Sequence, residues 1–138
     1  MVITFNAYNC GLGNNGGSRT IIKSADALSM VGHDVNICAR LDNFTWFQHK
    51  SVIKNIPTNS NAVVAVSACD VVHSLDNAPL NSCVAWWMRG WEIWQTDGID
   101  GFISLAKKVP VICNSSWMVN MLADYGINAN LCFSGLDL

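Results

Sequence analysis

Apolar residues follow two periods along this chain, and their alternation predicts its architecture. The runs at 2–5, 35–39, 62–66, 83–88, 109–113 and 129–133 are short and rich in Val, Ile, Ala and Cys. Such runs read as strands, and 62–66 is apolar at every position, as a strand buried on both faces would be. Between them the spacing turns helical. Ile21, Ile22, Ala25, Leu28 and Met30 share one face, with Lys23 and Asp26 opposite. That pattern predicts a helix from Ser18, as N-cap, to a stop at Gly32. Residues 69–75 predict a short helix and 98–108 a longer one, with Lys107 and Lys108 at its favourable C-terminal end. Asn114, Ser115 and Ser116 cap a further helix carrying Trp117, Met118, Met121, Leu122 and Tyr125, stopped by Gly126. Residues 51–56 read as an edge strand ended by Pro57, and 42–50 as a packed loop or short helix.

Strands alternating with helices imply an α/β fold: a doubly wound, mostly parallel, Rossmann-like sheet with helices on both faces and right-handed crossovers. Ligands bind such sheets at the carboxyl ends of the strands. Three segments are therefore candidate site walls: 11–19, 89–94 and 114–116. Trp86 and Trp87 are neighbours on one strand, so they must face opposite sides of it, as core.

Composition narrows the function classes. With 138 residues the chain is one domain, and with only 13% charged residues either most of it is buried or some apolar surface expects a partner, such as a second copy. A net charge of −2 argues against a nucleic-acid partner. No apolar run approaches the length of a transmembrane span, and the N-terminus lacks the pattern of a signal peptide. Six scattered cysteines without a C-x-x-C read as free thiols in a reducing, cytoplasmic setting.

Residues 11–16 spell G-x-G-x-x-G, the dinucleotide-binding pattern, in a poor context. Five residues separate its first glycine from the strand, and the second strand ends at Ala39-Arg40 without the ribose-binding acid. A flexible loop without a ligand is the plainer reading. Arg89, Trp91 and Glu92 combine opposite charges with an aromatic face, which suits a sugar; equally, Arg89 and Glu92 could be a surface ion pair. Ser115 and Ser116 are first of all helix caps, and His73 is surface unless its helix faces the strand ends. No Ser-His-Asp arrangement and no convincing metal-ligand spacing is present; Asp70, His73 and Asp76 share a helical face, which is weak evidence for a metal.

Two terminal motifs carry a resemblance. Gly16-Gly17-Ser18-Arg19-Thr20, followed by Ala25, Leu28 and Gly32-His33-Asp34-Val35, resembles the opening of GT-B fold glycosyltransferases of the retaining family 4 group. Val111-Ile112-Cys113-Asn114-Ser115-Ser116-Trp117-Met118, with Leu122, Gly126 and Ser134-Gly135-Leu136-Asp137, is similar to the segment closing the N-terminal domain of those enzymes. Residues 86–94 are similar, more weakly, to the segment after the fifth strand in rhamnosyltransferase-like members.

The resemblance implies the N-terminal, acceptor-side domain of an enzyme that moves a sugar from a nucleotide-sugar to a sugar or glycan acceptor. The C-terminal donor-binding domain would lie outside these residues, leaving the isolated chain inactive. Gly16, Gly17, Ser18 and Arg19 would form the donor-phosphate loop; Arg89, Trp91, Glu92, Ser115 and Ser116 would line the acceptor cleft. No cofactor and no metal is implied beyond the nucleotide-sugar co-substrate, and no catalytic nucleophile can be named. The alternatives from other classes are a self-contained nucleotide- or cofactor-binding Rossmann-like module without catalysis, and an interaction domain docking through its apolar surface.

Overall fold

The computed structural model describes residues 1–134. Strand β1 (Val2–Asn6) leads into helix α1 (Gly16–Met30) and strand β2 (Asp34–Cys38). A long connection reaches β3 (Ala62–Ala65), followed by α2 (Ala68–Asn77) and β4 (Cys83–Met88). A 3₁₀ turn (Ile93–Gln95), α3 (Gly98–Ala106), β5 (Val111–Cys113), α4 (Ser116–Asp124) and β6 (Asn130–Leu131) complete the element order. The six strands form one parallel sheet in the order β2-β1-β3-β4-β5-β6. This is the α/β, doubly wound, Rossmann-like fold that the alternation of periods predicts.

Helices cover both faces, and the core divides accordingly. On one face Ile21, Ile22 and Ala25 of α1 pack with Phe5, Ile37, Phe44 and Trp87. On the other, Val71 of α2, Phe102 of α3 and Met118 and Leu122 of α4 pack with Trp86, Met88 and Val111. Trp86 and Trp87 lie on opposite faces, as the strand period requires. Phe102 is fully buried and meets the rings of Trp86 at 4.8 Å and Trp91 at 5.0 Å.

The boundaries differ from the sequence reading where side-chain hydrogen bonds decide. Helix α1 begins at Gly16, and its N-cap is Asn15 rather than Ser18: Asn15 Oδ1 accepts from the Ser18 amide at 2.8 Å. The Ser18 hydroxyl turns back to accept from the Gly13 amide at 3.0 Å. Gly32 ends the helix as predicted, at φ 97°, a conformation that favours glycine. Residues 51–56 do not make a strand; only Ile53 bridges to Cys38, beside β2. Residues 42–50 are loop, with Phe44 anchored in the core. Helix α3 stops at Ala106, so Lys107 and Lys108 lie past its last residue. Among the described residues no helix is long and apolar enough to cross a membrane.

The chain leaves β1 toward β2 on one side and returns to β3 on the other. The β1–β3 border is thus the topological switch point, where a crevice opens at the strand ends.

Candidate functional site

At that border the loop after β1 is bound to the start of α2 by a buried polar network. Asp70, fully buried, accepts from the Asn9 amide at 2.7 Å and the Ser67 hydroxyl at 2.6 Å. Ser67 in turn caps α2 by accepting from the Asp70 amide at 3.1 Å. Asn6, also fully buried, donates to Ser74 Oγ at 2.7 Å and lies 3.0 Å from His73 Nδ1. An amide nitrogen only donates, so His73 Nδ1 accepts and the ring of neutral histidine carries its proton on Nε2. The same ring stacks on Tyr8 with centroids 4.1 Å apart and planes 7° from parallel. His73 is therefore a half-buried anchor of the loop, not solvated surface. Asp70 is committed to the same network while Asp76 is exposed, and no group of residues suited to a metal occurs among the described residues.

The G-x-G-x-x-G stretch spends its own backbone groups internally. The Gly11 amide bonds to Ala7 O, Leu12 to Leu41 O, and Asn15 to Gly13 O. The Asn14 side chain exchanges hydrogen bonds with Thr45 at 2.9 and 2.8 Å. What remains open is the start of α1. The Gly16 and Gly17 amides take no partner among the described residues, as is usual for the first turn of a helix.

These two residues form one wall of a cleft of about 430 Å³. Asn15, Arg89, Glu92 and Asn114 also line it. Segments distant in sequence thus meet at the carboxyl ends of β1, β4 and β5. Arg89 Nη1 donates to Gly17 O at 2.7 Å, its guanidinium lies 5.4 Å from the Trp87 ring centroid, and its Nε is buried without a partner among the described residues. Burial lowers the pKa of Arg89, opposed by its electrostatic interactions with Cys10, Glu92 and Asp70. Arg89 and Glu92 are not an ion pair: no carboxylate lies within salt-bridge distance of Arg89 among the described residues. Glu92 instead accepts from Gln95 Nε2 at 2.7 Å. Next to them the Cys10 thiol is pushed up to about 12, first by burial and then by the Asp70 carboxylate.

Of the residues singled out in the sequence, Gly16, Gly17, Arg89, Glu92, Asn114 and Ser134 come together in the cleft. Ser18, Arg19, Trp91, Ser115 and Ser116 do not line it. Ser18 is buried beneath the loop. Trp91 packs into the core against Phe102 and lies 6.1 Å from the Trp117 ring. Ser115 holds the N-cap position of α4, yet its hydroxyl makes no capping bond and is buried without a partner among the described residues. Ser116 is exposed on the first turn of α4, and Arg19 lies on α1 outside the cleft lining. Residues 135–138, which carry the end of the second terminal motif, lie outside the described residues. The sequence reading passed over Asn15 as the cap; an Asn just before two glycines at a helix start was the available signal.

A second, more open hollow of about 510 Å³ is formed by the 42–51 loop. There His49 Nε2 lies 3.5 Å from Asp42 Oδ2 and its Nδ1 is 2.8 Å from Lys50 O. Each ring nitrogen thus faces an oxygen of the same loop.

No protein-family model matches the chain, and no curated protein matches it.

Proposed function

We propose that this chain is the acceptor-side domain of a GT-B type glycosyltransferase, acting with a second, donor-binding domain on a nucleotide-sugar and a sugar or glycan acceptor. The observation that carries the reading is the cleft itself. The two glycines of the first terminal motif line one hollow at the switch point together with Arg89 and Glu92. Open amides at the start of α1 suit the phosphates of a nucleotide-sugar, because a helix N-terminus favours negative charge. Glu92 and Asn114 supply the acceptor and donor groups that a sugar hydroxyl needs. Six free thiols fit a reducing, cytoplasmic setting.

The dinucleotide alternative is disfavoured by the internal bonding of residues 11–15, which leaves few amides for a pyrophosphate there. The test is a binding and turnover assay with UDP- and GDP-sugars against dinucleotide cofactors. The expected result is weak nucleotide-sugar binding with shifts at Gly16, Gly17 and Arg89, and no transfer by these 138 residues alone. Turnover by the isolated chain, or preferential binding of a dinucleotide on residues 11–16, overturns it.

A further inference from the structure

The connection from β2 to β3 covers residues 39–61 without a helix or strand, a length that in a compact domain usually carries function. Its first half is nonetheless fixed. Leu12 O accepts from the Asn43 amide at 2.9 Å, Asn14 is bonded to Thr45, and Lys50 Nζ donates to Val35 O at 2.7 Å. Buried Phe44 meets the rings of Phe47 at 4.8 Å and His49 at 5.6 Å. The hollow over residues 42–51 is therefore held in shape, and its volume of about 510 Å³ falls among small-ligand sites.

Two groups in it are set against each other. A carbonyl oxygen only accepts, so His49 Nδ1, 2.8 Å from Lys50 O, carries the proton of the neutral ring. Nε2 is then a lone pair, and it faces a second acceptor, Asp42 Oδ2, at 3.5 Å. Only 8% of the His49 side chain is exposed, so bulk water has little access to it. The other Asp42 oxygen accepts from the Phe44 amide at 3.2 Å, which pins the carboxylate. A doubly protonated ring would meet Asp42 by charge alone, because an N–H···O bond ordinarily spans about 2.7–3.2 Å. Two fixed acceptors side by side call for a ligand that brings two donors.

We propose that this hollow binds a sugar unit, whose adjacent ring hydroxyls donate one each to His49 Nε2 and Asp42 Oδ2. A single hydroxyl brings one proton and satisfies only one of them. A cation is opposed by Lys23, whose Nζ lies 4.8 Å over the Phe47 ring, and by Lys50 on the loop itself. No third His, Cys, Asp or Glu makes the pair a metal group among the described residues. Thr45, Gln48 and Ser51 also line the hollow, and their hydroxyl and amide groups both donate and accept, as sugar hydroxyls do. Phe44 and Phe47 supply the apolar wall that suits the C–H face of a sugar ring.

This hollow is separate from the cleft: none of the described residues lines both. They are neighbours, because Asn14, bonded to Thr45 of the hollow, is followed by Asn15 of the cleft. That the bound unit belongs to the acceptor, and that the acceptor is then a glycan of more than one sugar, rests on the transferase reading above; the diol site does not.

The experiment is titration of the ¹⁵N-labelled 138-residue chain with methyl α-glucopyranoside, methyl α-mannopyranoside and a vicinal cyclohexanediol, each against cyclohexanol. Amide shifts are expected at residues 42–51 with the pyranosides and the diol, and none with cyclohexanol. Asp42→Asn, which keeps an oxygen for the Phe44 amide, should weaken pyranoside binding by about tenfold, the loss of one charge-assisted acceptor. His49→Phe, which keeps a ring against Phe44, should weaken it by about fivefold. Leu80→Ala, on the surface between α2 and β4, should leave it unchanged. An equal response to cyclohexanol and the diol overturns the proposal, and this comparison needs no variant to fold. Unchanged affinity in either folded variant, or no pyranoside shifts at 42–51, overturns it as well. A response there to zinc chloride or ethylammonium, with the diols silent, overturns it in favour of a cation. Pyranoside binding at 42–51 without nucleotide-sugar binding at Gly16 and Gly17 keeps this proposal and overturns the transferase reading. Nucleotide-sugar binding there, with the hollow silent to pyranosides, does the reverse.

Discussion

Arg89 Nη1 donates a 2.7 Å hydrogen bond to the carbonyl oxygen of Gly17, 72 residues earlier in the chain. The bond joins the segment after β4 to the first turn of α1. A Cβ built on Gly17 would lie 3.2 Å from Arg89 Nη1 and 3.2 Å from Asn15 Oδ1, whereas one on Gly16 meets nothing within 4 Å. The two adjacent glycines thus have different reasons to be glycine. Gly17 makes room for the guanidinium and the cap; Gly16 leaves the cleft wall bare.

That difference separates stability from binding. Gly16→Ala should raise thermal stability, by up to about 0.5 kcal/mol, because alanine suits a helix better and finds open space. The same methyl should weaken ligand binding at the cleft. Gly17→Ala should gain nothing in stability, because its helix preference is offset by displacement of Arg89 and Asn15. Thermal melts of both variants beside pyrophosphate titration check this; equal melting shifts for the two would refute it.

Asn15→Ala should cost about 1 kcal/mol through loss of the cap on the Ser18 amide. Asp70→Ala should cost more, about 3 kcal/mol, because the Asn9 amide and the buried Ser67 hydroxyl both lose their acceptor. Urea unfolding measures both. In the Asp70 variant, faster proteolysis or amide exchange in residues 7–13 is expected, because that bond ties the loop to α2.

The cysteines divide by environment. The Cys38 and Cys113 thiols are pushed up to about 11 by burial, and Cys10 to about 12. Iodoacetamide near pH 8 should label exposed Cys69, Cys83 and Cys132 first, because little thiolate forms at Cys10, although it too is exposed, or at buried Cys38 and Cys113. Each raised group stays neutral in the folded chain while its unfolded counterpart ionises from the ordinary value of 9.0. Their contribution to stability is therefore complete below pH 9 and is lost progressively as pH rises toward 11–12. Alkaline unfolding should move to higher pH in Cys113→Ala once each curve is referenced to its own stability at pH 7; an unchanged midpoint would count against this.

Phe102→Ala should cost about 3–5 kcal/mol, since a fully buried ring touching Trp86 and Trp91 leaves a cavity that α3 cannot close. Leu80, fully exposed between α2 and β4, is the contrast: Leu80→Ala should change stability by less than about 0.5 kcal/mol. Chemical denaturation with tryptophan fluorescence reads both.

The sequence by itself determined the layers. Apolar period fixes which face of a helix or strand is buried, and this is a local property. It placed α1, the buried run of β3 and the opposite facing of Trp86 and Trp87, and it located Gly32 and Gly126, whose positive φ ends a helix. It also brought Gly16, Gly17, Arg89 and Glu92 forward as candidates. Tertiary structure decided what those residues do for one another. Hydrogen bonds across tens of residues leave no trace in periodicity. Nothing local reveals that Arg89 bonds to Gly17 rather than Glu92, that His73 is held by Asn6 and Tyr8, or that Trp91 turns into the core. Nor could spacing show that Ile53 alone of its segment reaches β2, because a one-residue bridge needs no alternating pattern. The glycine loop makes the distinction plainest. Its letters match a dinucleotide pattern, yet most of its amides are consumed by the loop itself and by residue 41, and the open ones belong to Gly16 and Gly17.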